Sequence, residues 1–375
     1  MNFNAILSKL NEEGNLRKLP SQLPANVLDF SSNDYLGIAQ NHELANEFIA
    51  SLPSLAFSSS ASRLLASQQE IYKNFERLLE SQYQRPILLF NSGYHANTGV
   101  ISAIANASNS LIILDKLAHA SIIDGCVLSR ADFKRFPHND ISALRKILEK
   151  NYEDYDNFII ISESVFSMDG DRAPLEQLLN LKQEFPKVFL YLDEAHAFGV
   201  MGRKGLGLAQ DTTSPAAWDI IVCPMGKAAA SMGAFVVCNE ETKDFLINKA
   251  RSLIFSTAIP PFQIEWSSFV ISRILTMDRE RTLLHRLSQL LADTIRKYYS
   301  VADTDISHIR PLIIGDSHHS IELSDKLFSH GIKALPIRRP TVPPGTERIR
   351  FSLSAAMHDD DILKLDNALK CIVNS

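Results

Sequence analysis

Two stretches decide how this chain folds: V-F-L-Y-L-D-E-A-H (residues 188–196) and I-I-V-C-P-M-G-K-A-A-A-S-M-G-A-F-V-V-C (residues 220–238). In the first, an apolar run ends at Asp193, and His196 follows about one helical turn later. In the second, Lys227 lies between two apolar runs, among glycine, alanine and serine residues. Runs that are apolar at every position are typical of strands buried on both faces of a sheet. Both stretches therefore predict buried strands with a polar residue near the end.

Asp193 and Lys227 together predict a particular chemistry. A lysine among small side chains has little room for a hydrated ammonium group, and burial favours its neutral form. A neutral amine can condense with an aldehyde. Because a buried carboxylate can also keep a pyridinium nitrogen protonated, the pair predicts a site for pyridoxal 5'-phosphate. The alternative is a surface lysine in a turn and an aspartate that caps a helix.

Further apolar runs alternate with stretches of helical spacing. The runs of strand length are 86–90, 110–115, 157–163, 188–193 and 219–223, and the helical stretches between them are 96–105, 140–150 and 174–185. This alternation predicts an α/β fold with a mainly parallel sheet, whose ligands bind at the carboxyl ends of the strands. Asn91, Asp115, Glu163, Asp193 and Lys227 fall at or just after predicted strand ends, so one cleft could collect them.

Composition narrows the function classes. The chain has 375 residues, 45% hydrophobic and 22% charged, with a formal net charge of −5, which argues against a nucleic-acid partner. No apolar run approaches the length of a membrane span, and residues 1–14 predict a short amphipathic helix and no signal peptide. The four scattered cysteines predict free thiols and no metal site. We therefore expect a cytoplasmic protein.

Three domains are expected along the chain. They are an N-terminal arm (1–36), a large cofactor-binding domain (37–265) and a small α+β C-terminal domain (266–375). The small domain is expected to begin with a long helix from about Ile264 to Ser300 and to continue with strand-like stretches at 311–316 and 347–354.

Three motifs follow predicted strands. N-S-G-Y-H-A-N (91–97) opens a helix, where Gly93 lets the backbone approach a ligand and free N–H groups can bind phosphate. D-K-L-A-H-A-S-I-I-D-G (115–125) places His119 where its imidazole could stack on a flat ring, and S-E-S-V-F-S-M-D-G-D (162–171) offers carboxylates and hydroxyls. Taken singly, these motifs are also typical of an ordinary β–α turn, a packed or exposed histidine, and an acidic turn with helix capping.

A fourth motif lies near the C-terminus. I-R-R-P-T-V-P-P-G-T-E-R-I-R-F-S (337–352) begins as a rigid loop and ends with Arg348 and Arg350 on one face of a strand. A guanidinium there would suit bidentate binding of a substrate carboxylate. The alternative is a pair of surface arginines on an edge strand.

Together the motifs resemble those of the α-oxoamine synthases, which are fold-type I pyridoxal-phosphate enzymes. The resemblance runs from about residue 29 to 355 and rests on the lysine segment and on D-F-S-S-N-D-Y-L-G (29–37), H-A-S-I-I-D-G (119–125), V-F-S-M-D-G-D (165–171), L-D-E-A-H-x-F-G-V-M-G-x-x-G-x-G (192–207), F-S-T-A-I-P-P (255–261) and P-T-V-P-P-G-T-E-R-I-R (340–350). It implies a fold-type I large domain with a mainly parallel sheet, and a smaller α+β domain at the C-terminus.

The resemblance also implies a reaction. Members of the family condense an amino acid with an acyl thioester, and the segments V-F-S-M-D-G-D-x-A-P-L and R-x-P-T-V-P-x-G-T-x-R-x-R favour decarboxylating condensation of L-alanine with a pimeloyl thioester in biotin biosynthesis. The acyl carrier could be coenzyme A or an acyl carrier protein. The alternatives are another amino acid or acyl thioester, as in an autoinducer-type α-aminoketone synthase, and a protein of this fold that binds without catalysis.

Roles at the cofactor ring follow from the resemblance. Lys227 would carry the Schiff base, Asp193 would hold the pyridinium nitrogen, and His119 would stack on the ring and contribute to catalysis. Ser167 and His196 would bond the phenolic oxygen of the cofactor.

Roles at the phosphate and at the substrate follow in the same way. Gly93 and Tyr94 would offer N–H groups to the phosphate, and Thr257 would reach the phosphate of the neighbouring subunit in a homodimer. The residues implied at the substrate are Arg17, Asn33, His119, Thr341 and Arg350.

This chain departs from the family pattern at three places. Pro224 stands three residues before the lysine, where a phosphate-binding serine or threonine is usual. The stretch S-S-S-A-S-R-L-L-A-S-Q-Q (58–69) has no glycine where the family has a glycine-rich loop, and G-K-A-A-A (226–230) ends in alanine where a glycine is common. The first departure is expected to weaken cofactor binding, and the second to affect the choice of substrate.

Overall fold

The computed structural model describes residues 1–20, 22–52, 56–299 and 307–374. The helices are α1 (Phe3–Glu12), α2 (His42–Ser51), α3 (Gln69–Tyr83), α4 (Gly93–Ala105), α5 (Ala120–Ser129), α6 (Ile141–Asn151), α7 (Leu175–Glu184), α8 (Glu240–Lys249), α9 (Arg251–Ile254), α10 (Pro261–Ile274), α11 (Asp278–Arg296), α12 (Ser317–Ser329) and α13 (Asp359–Val373). The strands are β1 (Leu28–Asp29), β2 (Ile87–Phe90), β3 (Ser110–Asp115), β4 (Asp132–Phe136), β5 (Asn157–Glu163), β6 (Val188–Asp193), β7 (Ile220–Pro224), β8 (Ala234–Val237), β9 (Ile309–Ile313), β10 (Ile332–Lys333), β11 (Leu335–Ile337) and β12 (Arg348–Ser352).

These elements form two compact units. The large unit consists of Ile38–Phe166 and Arg172–Asp278. The small unit consists of Met1–Gly37, Ser167–Asp171 and Arg279–Ser375, so the chain leaves the large unit for five residues in the middle of its sequence. Among the described residues no helix combines the length and the apolar character needed to cross a membrane.

The large unit contains a seven-stranded sheet in the order β2-β8-β7-β6-β5-β3-β4. Strands β4, β3, β5, β6 and β7 run parallel, and β8 is antiparallel to both of its neighbours. Every residue of β3 is buried, as its continuous apolar run predicts for a strand covered on both faces. The predicted α/β fold with a mainly parallel sheet is confirmed.

The strand β4 was not predicted. Its sequence, D-F-K-R-F, is mostly charged, and among the described strands it lies at the edge of the sheet, beside β3. An edge strand exposes much of its surface and carries charge that discourages pairing with other chains, so its pattern does not resemble that of a buried strand.

The predicted long helix from about Ile264 is two helices, α10 and α11. Short backbone hydrogen bonds from Thr276 to Arg273 and from Met277 to Ile274 close α10, and α11 begins at Asp278. A turn of three residues therefore interrupts a pattern that is helical on both sides. The end of the predicted helix, Ser300, lies outside the described residues.

The small unit contains a three-stranded antiparallel sheet, β11-β12-β9, and the short parallel pair β1-β10. The N-terminal segment joins this unit through backbone hydrogen bonds from Ser352 to Phe30 and from Ala355 to Tyr35. Gly37 has a φ of +71°, and a side chain there would come within 2.7 Å of Ala356. The turn at residues 33–37 is therefore packed tightly onto the end of β12.

Candidate functional site

Asp193 ends strand β6 and is 3% exposed. Its Oδ1 accepts a hydrogen bond from the Ala195 N–H (2.8 Å), and its Oδ2 accepts one from Asn97 Nδ2 (2.8 Å). Tyr191 in turn donates its hydroxyl to Asn97 Oδ1 at 2.6 Å, which fixes which end of the amide faces the carboxylate. Asp193 is thus a buried, oriented carboxylate at the carboxyl end of a parallel strand.

Asn97 is a site residue that sequence reasoning did not assign. It lies on α4, one turn after Gly93, and is 1% exposed. A buried asparagine inside a helix was the available signal, because such a side chain needs hydrogen-bond partners from elsewhere. It finds them in Asp193 and in Ser121, whose Oγ accepts from the Asn97 amide at 2.9 Å.

His119 is the N-cap of α5 and remains partly exposed. Its ring Nδ1 lies 2.7 Å from Ser121 Oγ, and its backbone N–H donates to Glu163 Oε1 at 2.6 Å. Desolvation lowers the pKa of His119, while the charge of Asp193 raises it and that of Lys227 lowers it further. The ring therefore favours the neutral form, and it lies close enough to Asp193 and Lys227 for their charges to shift its pKa.

Glu163 ends β5 and lies beside Asp193 in the register of β5 and β6. Burial raises the pKa of the Glu163 carboxyl to about 8, and the neighbouring Asp193 charge raises it as well. The carboxyl group of Glu163 therefore favours its protonated form. Asp193 is positioned by its two donors, and Glu163 holds the backbone of His119.

Lys227 lies in the connection between β7 and β8, as its flanking apolar runs predicted. The Lys227 carbonyl accepts from Ala230 N at 2.8 Å, and Met225 N bonds Gly233 O at 2.9 Å, so the connection is a closed turn. Ala230 takes a positive φ of 42° within it. The structure places Lys227 in a tight turn of small residues, partly buried, with its charge acting on His119 and Glu163.

The start of α4 leaves backbone N–H groups available. Ser92 is the N-cap, and its side chain accepts from His95 N at 3.1 Å. Within the described ranges, no acceptor is bonded to the N–H groups of Gly93 and Tyr94, so both can bind an anion. A side chain at Gly93 would come within 2.6 Å of the ring of Pro224, so only glycine fits there.

Thr257 is exposed and lies beside the glycine-free stretch. Its carbonyl accepts from Asn91 Nδ2 at 2.6 Å, and it forms an antiparallel bridge with Ser62. Ser59 Oγ donates to the Ala258 carbonyl at 3.1 Å, and Ser60 adopts a positive φ of 48°. The stretch that lacks glycine therefore keeps a conformation that glycine adopts more readily.

The two residues predicted at the phenolic oxygen of the cofactor, His196 and Ser167, belong to different units. His196 is 4% exposed and lies in the turn after β6 in the large unit. Ser167 is partly buried and belongs to the five-residue segment of the small unit.

The predicted substrate residues other than His119 fall in the small unit, in two hydrogen-bonded pairs. Arg17 Nη2 donates to Thr341 Oγ1 at 2.8 Å, and Arg350 Nη2 donates to Asn33 Oδ1 at 3.1 Å. Arg17 and Thr341 are exposed, whereas Arg350 is buried, with 6% of its surface exposed. The pairing brings together residues that lie more than 300 positions apart in the chain.

The alternative of surface arginines on an edge strand is wrong for Arg348 and Arg350. Both are buried on β12, which is the central strand of its sheet. Arg348 forms an ion pair with Asp169 and donates to the Thr346 carbonyl at 2.8 Å. The buried Nε of Arg350 has no hydrogen-bond partner within the described part of the chain, so this donor remains for a ligand.

Comparisons with known proteins agree with these features. The family model of aminotransferase class I and II matches residues 25–369. A protein of Pasteurella multocida (strain Pm70), provisionally named 8-amino-7-oxononanoate synthase, is 46% identical over 351 residues, which cover 92% of this chain and 89% of that protein. The crystal structure of 8-amino-7-oxononanoate synthase from Francisella tularensis is 28% identical with a TM-score of 0.77, covering 92% of this chain and 98% of that one. Serine palmitoyltransferase of Sphingomonas wittichii shares the fold, with a TM-score of 0.89, 24% identity and coverage of 98% and 95%.

Proposed function

Because this chain belongs to the aminotransferase class I and II family and, within it, to the α-oxoamine synthases, we propose that it is an 8-amino-7-oxononanoate synthase. It would join L-alanine to a pimeloyl thioester with loss of carbon dioxide, as a transferase of biotin biosynthesis. Relatives at 43% to 46% identity over most of the chain carry that name provisionally, which supports this reaction over the alternatives.

The residues of the large unit fit pyridoxal phosphate. Asp193 is held by two donors as an acceptor for a ring nitrogen, and the start of α4 has two N–H groups for a phosphate. His119 has a neutral, partly exposed ring on which a flat group can stack. The observation that carries the proposal is the Asp193–Asn97–Ser121–His119 network, which orients a carboxylate and an imidazole beside the lysine turn.

When bound, pyridoxal phosphate supplies an electron-accepting ring that stabilises negative charge at the α-carbon of the amino acid. Asp193 would keep its ring nitrogen protonated, and Gly93 and Tyr94 would hold its phosphate. His196 and Ser167 are proposed at its phenolic oxygen. Lys227 would hold the cofactor covalently and, once released, take the α-proton of alanine as general base.

The bond changes follow from the products. Alanine loses its α-proton to Lys227, its α-carbon bonds to the acyl carbonyl carbon, and the thiol of the carrier leaves. The carboxyl group of alanine then leaves as carbon dioxide, and a proton takes its place on the α-carbon. Arg350 and Asn33 are proposed to bind that carboxyl group, and Arg17 and Thr341 the acyl substrate.

Assembly and location are part of the proposal. We propose a cytoplasmic homodimer in which Thr257 reaches the cofactor phosphate of the neighbouring subunit. Its exposed position beside Asn91 supports this assignment, because Asn91 directly precedes the N-cap of α4.

Turnover with defined substrates tests the function. L-alanine, glycine and L-serine are each offered with acetyl, pimeloyl and palmitoyl thioesters, on coenzyme A and on an acyl carrier protein, and the products are identified by mass. The expected product is 8-amino-7-oxononanoate, with one carbon dioxide per turn and no product from Lys227→Ala. A different amino acid or acyl chain in the best product would replace this assignment with another α-oxoamine synthase, and tight cofactor binding without any product would favour a binding protein.

A further inference from the structure

Tyr35 is a buried tyrosine whose hydroxyl joins the Arg350–Asn33 pair. It donates to Asn33 Oδ1 at 3.0 Å and accepts from Arg350 Nη2 at 3.2 Å. All three residues belong to the small unit, so the network is complete within one compact body.

The ring and the backbone of Tyr35 are both held by contacts within the small unit. The residue is 0% exposed, and its ring packs edge-on against that of His308 at 4.1 Å between centroids. Its backbone is also fixed, because its N–H bonds the Asn33 carbonyl (2.9 Å) and its carbonyl accepts from Ala355 N (2.8 Å). Asn33 and Tyr35 therefore form one rigid turn that presents two acceptors to a single guanidinium nitrogen.

The guanidinium of Arg350 has donors that its hydrogen bonds to Asn33 and Tyr35 do not use. Both of the bonds above use Nη2, and its buried Nε lacks a hydrogen-bond partner within the described ranges. A buried donor without a partner is costly, and a planar guanidinium satisfies such donors best by bidentate binding of a carboxylate. The orientation of the guanidinium plane of Arg350 then decides whether both hydrogen bonds to a carboxylate can form.

We propose that Tyr35 is a positioning residue that fixes the guanidinium plane of Arg350 for the carboxylate of the amino-acid substrate; this rests on the proposed function. The hydroxyl acts without touching the substrate. Burial raises the pKa of Tyr35 to about 12, so the hydroxyl stays neutral and keeps donating to Asn33 while it accepts from Arg350. Because two acceptors already hold Nη2, the guanidinium group of Arg350 loses little conformational entropy when the carboxylate binds.

The test compares ligands with and without a carboxylate. Dissociation constants of L-alanine and of ethylamine are measured for the holoenzyme by visible absorption titration, in wild type and in Tyr35→Phe. The dissociation constant of L-alanine is expected to rise about tenfold in the variant, because a hydrogen bond to a charged group is weakened, while that of ethylamine changes less than about twofold. The KM for L-alanine should rise similarly, with the KM for the acyl thioester unchanged.

A matched control removes another buried tyrosine hydroxyl. Tyr83 donates to the Leu206 carbonyl at 2.8 Å in the large unit, and Tyr83→Phe should leave the ratio of the two dissociation constants unchanged. Arg350→Lys removes the planar guanidinium group. In that background, Tyr35→Phe should change the dissociation constant of L-alanine by less than about twofold.

Three results would overturn the proposal: equal weakening of both ligands, no weakening of either, or additive effects of Tyr35→Phe and Arg350→Lys. Failure of the proposed function is recognised separately in the wild type. A wild-type protein that does not prefer L-alanine to ethylamine would contradict the assigned amino-acid substrate, whatever the variant does.

Discussion

At the scale of single residues, Ala230 occupies a conformation that alanine disfavours. Its φ of +42° lies in the left-handed region, and it stands where the family commonly has glycine in the lysine turn. This costs roughly 1 to 2 kcal/mol relative to a right-handed conformation, and glycine would avoid it at a smaller cost in unfolded-state entropy. We expect Ala230→Gly to raise the free energy of unfolding by about 0.5 to 1 kcal/mol.

The neighbouring Ala229 supplies the control. Ala229 is 0% exposed and does not have a positive φ. Ala229→Gly should therefore destabilise the protein, because it removes a buried methyl group and raises the conformational entropy of the unfolded chain. Urea unfolding of the cofactor-free protein measures both variants. Equal destabilisation by the two substitutions would show that the turn is not strained at Ala230.

Pro224 is the second residue whose identity has a measurable consequence. Its ring lies against Gly93, beside the two N–H groups proposed for the cofactor phosphate, yet it can offer neither a hydroxyl nor an N–H. Pro224→Thr should add a donor there and strengthen cofactor binding by roughly 1 to 2 kcal/mol, which is about five- to thirtyfold in the dissociation constant. Equilibrium dialysis in phosphate-free buffer measures it, with Pro224→Val as the control of similar shape without a hydroxyl.

The two Pro224 variants separate the possible causes. If valine tightens binding as much as threonine does, removal of the proline ring is responsible and the hydroxyl is not. If threonine binds the cofactor no better than wild type, another group already serves the phosphate. Turnover at saturating cofactor should change little in either variant, because Lys227 is not altered.

At the scale of elements, an ion pair joins the segment Ser167–Asp171 to β12. Arg348 on β12 pairs with Asp169, and their side chains are 6% and 27% exposed. Loss of one partner leaves the other charge buried and unmatched, which is typically expensive. Asp169→Asn should therefore lower the free energy of unfolding by about 2 to 4 kcal/mol.

An exposed ion pair is the comparison for that variant. Glu47 pairs with Arg273, and both side chains are about half exposed, so Glu47→Gln should cost less than about 1 kcal/mol. Urea unfolding of both variants under the same salt concentration measures the difference. A cost for Asp169→Asn no larger than that for Glu47→Gln would mean that the segment is held by its other contacts.

Elements also show what could be predicted from sequence. The strands that carry Glu163 and Asp193 were predicted to the residue, because buried parallel strands are apolar throughout and end abruptly in a polar residue. The edge strand β4 was missed, since an exposed charged strand has no such pattern. The break at residues 275–277 was also missed, because Leu, Thr and Met contain no helix breaker.

The candidate site also contains residues that could be predicted from sequence and contacts that could not. Lys227, Asp193, His119 and Gly93 were recognisable because their types and positions at strand ends are unusual. Contacts between distant parts of the chain were not, because they depend on tertiary packing. Asn97 orients Asp193, and Tyr35 binds Arg350, through contacts across 96 and 315 positions.

At the scale of the whole molecule, buried carboxyl groups link stability to pH. Burial raises the pKa of Glu163 to about 8 and that of Glu194 to about 7. Each therefore holds a proton in the folded state at pH values where the unfolded chain has released it. The stability that this provides is complete below the ordinary glutamate pKa of about 4.5 and is lost as the pH rises through the folded value.

Glu163→Gln isolates the larger of these effects. An amide oxygen can still accept from the His119 N–H, but the group no longer titrates near Asp193, Lys227 and Asp115. In the cofactor-free protein, the unfolding free energy of the variant relative to wild type should rise between about pH 5 and pH 8, by an amount on the order of a few kcal/mol. The exposed Glu70→Gln sets the baseline for removing a surface carboxyl group. A difference between Glu163→Gln and wild type that stays constant over this range, or that falls as the pH rises, would show that Glu163 is ionised in the folded protein and that His119 is held by a charged neighbour.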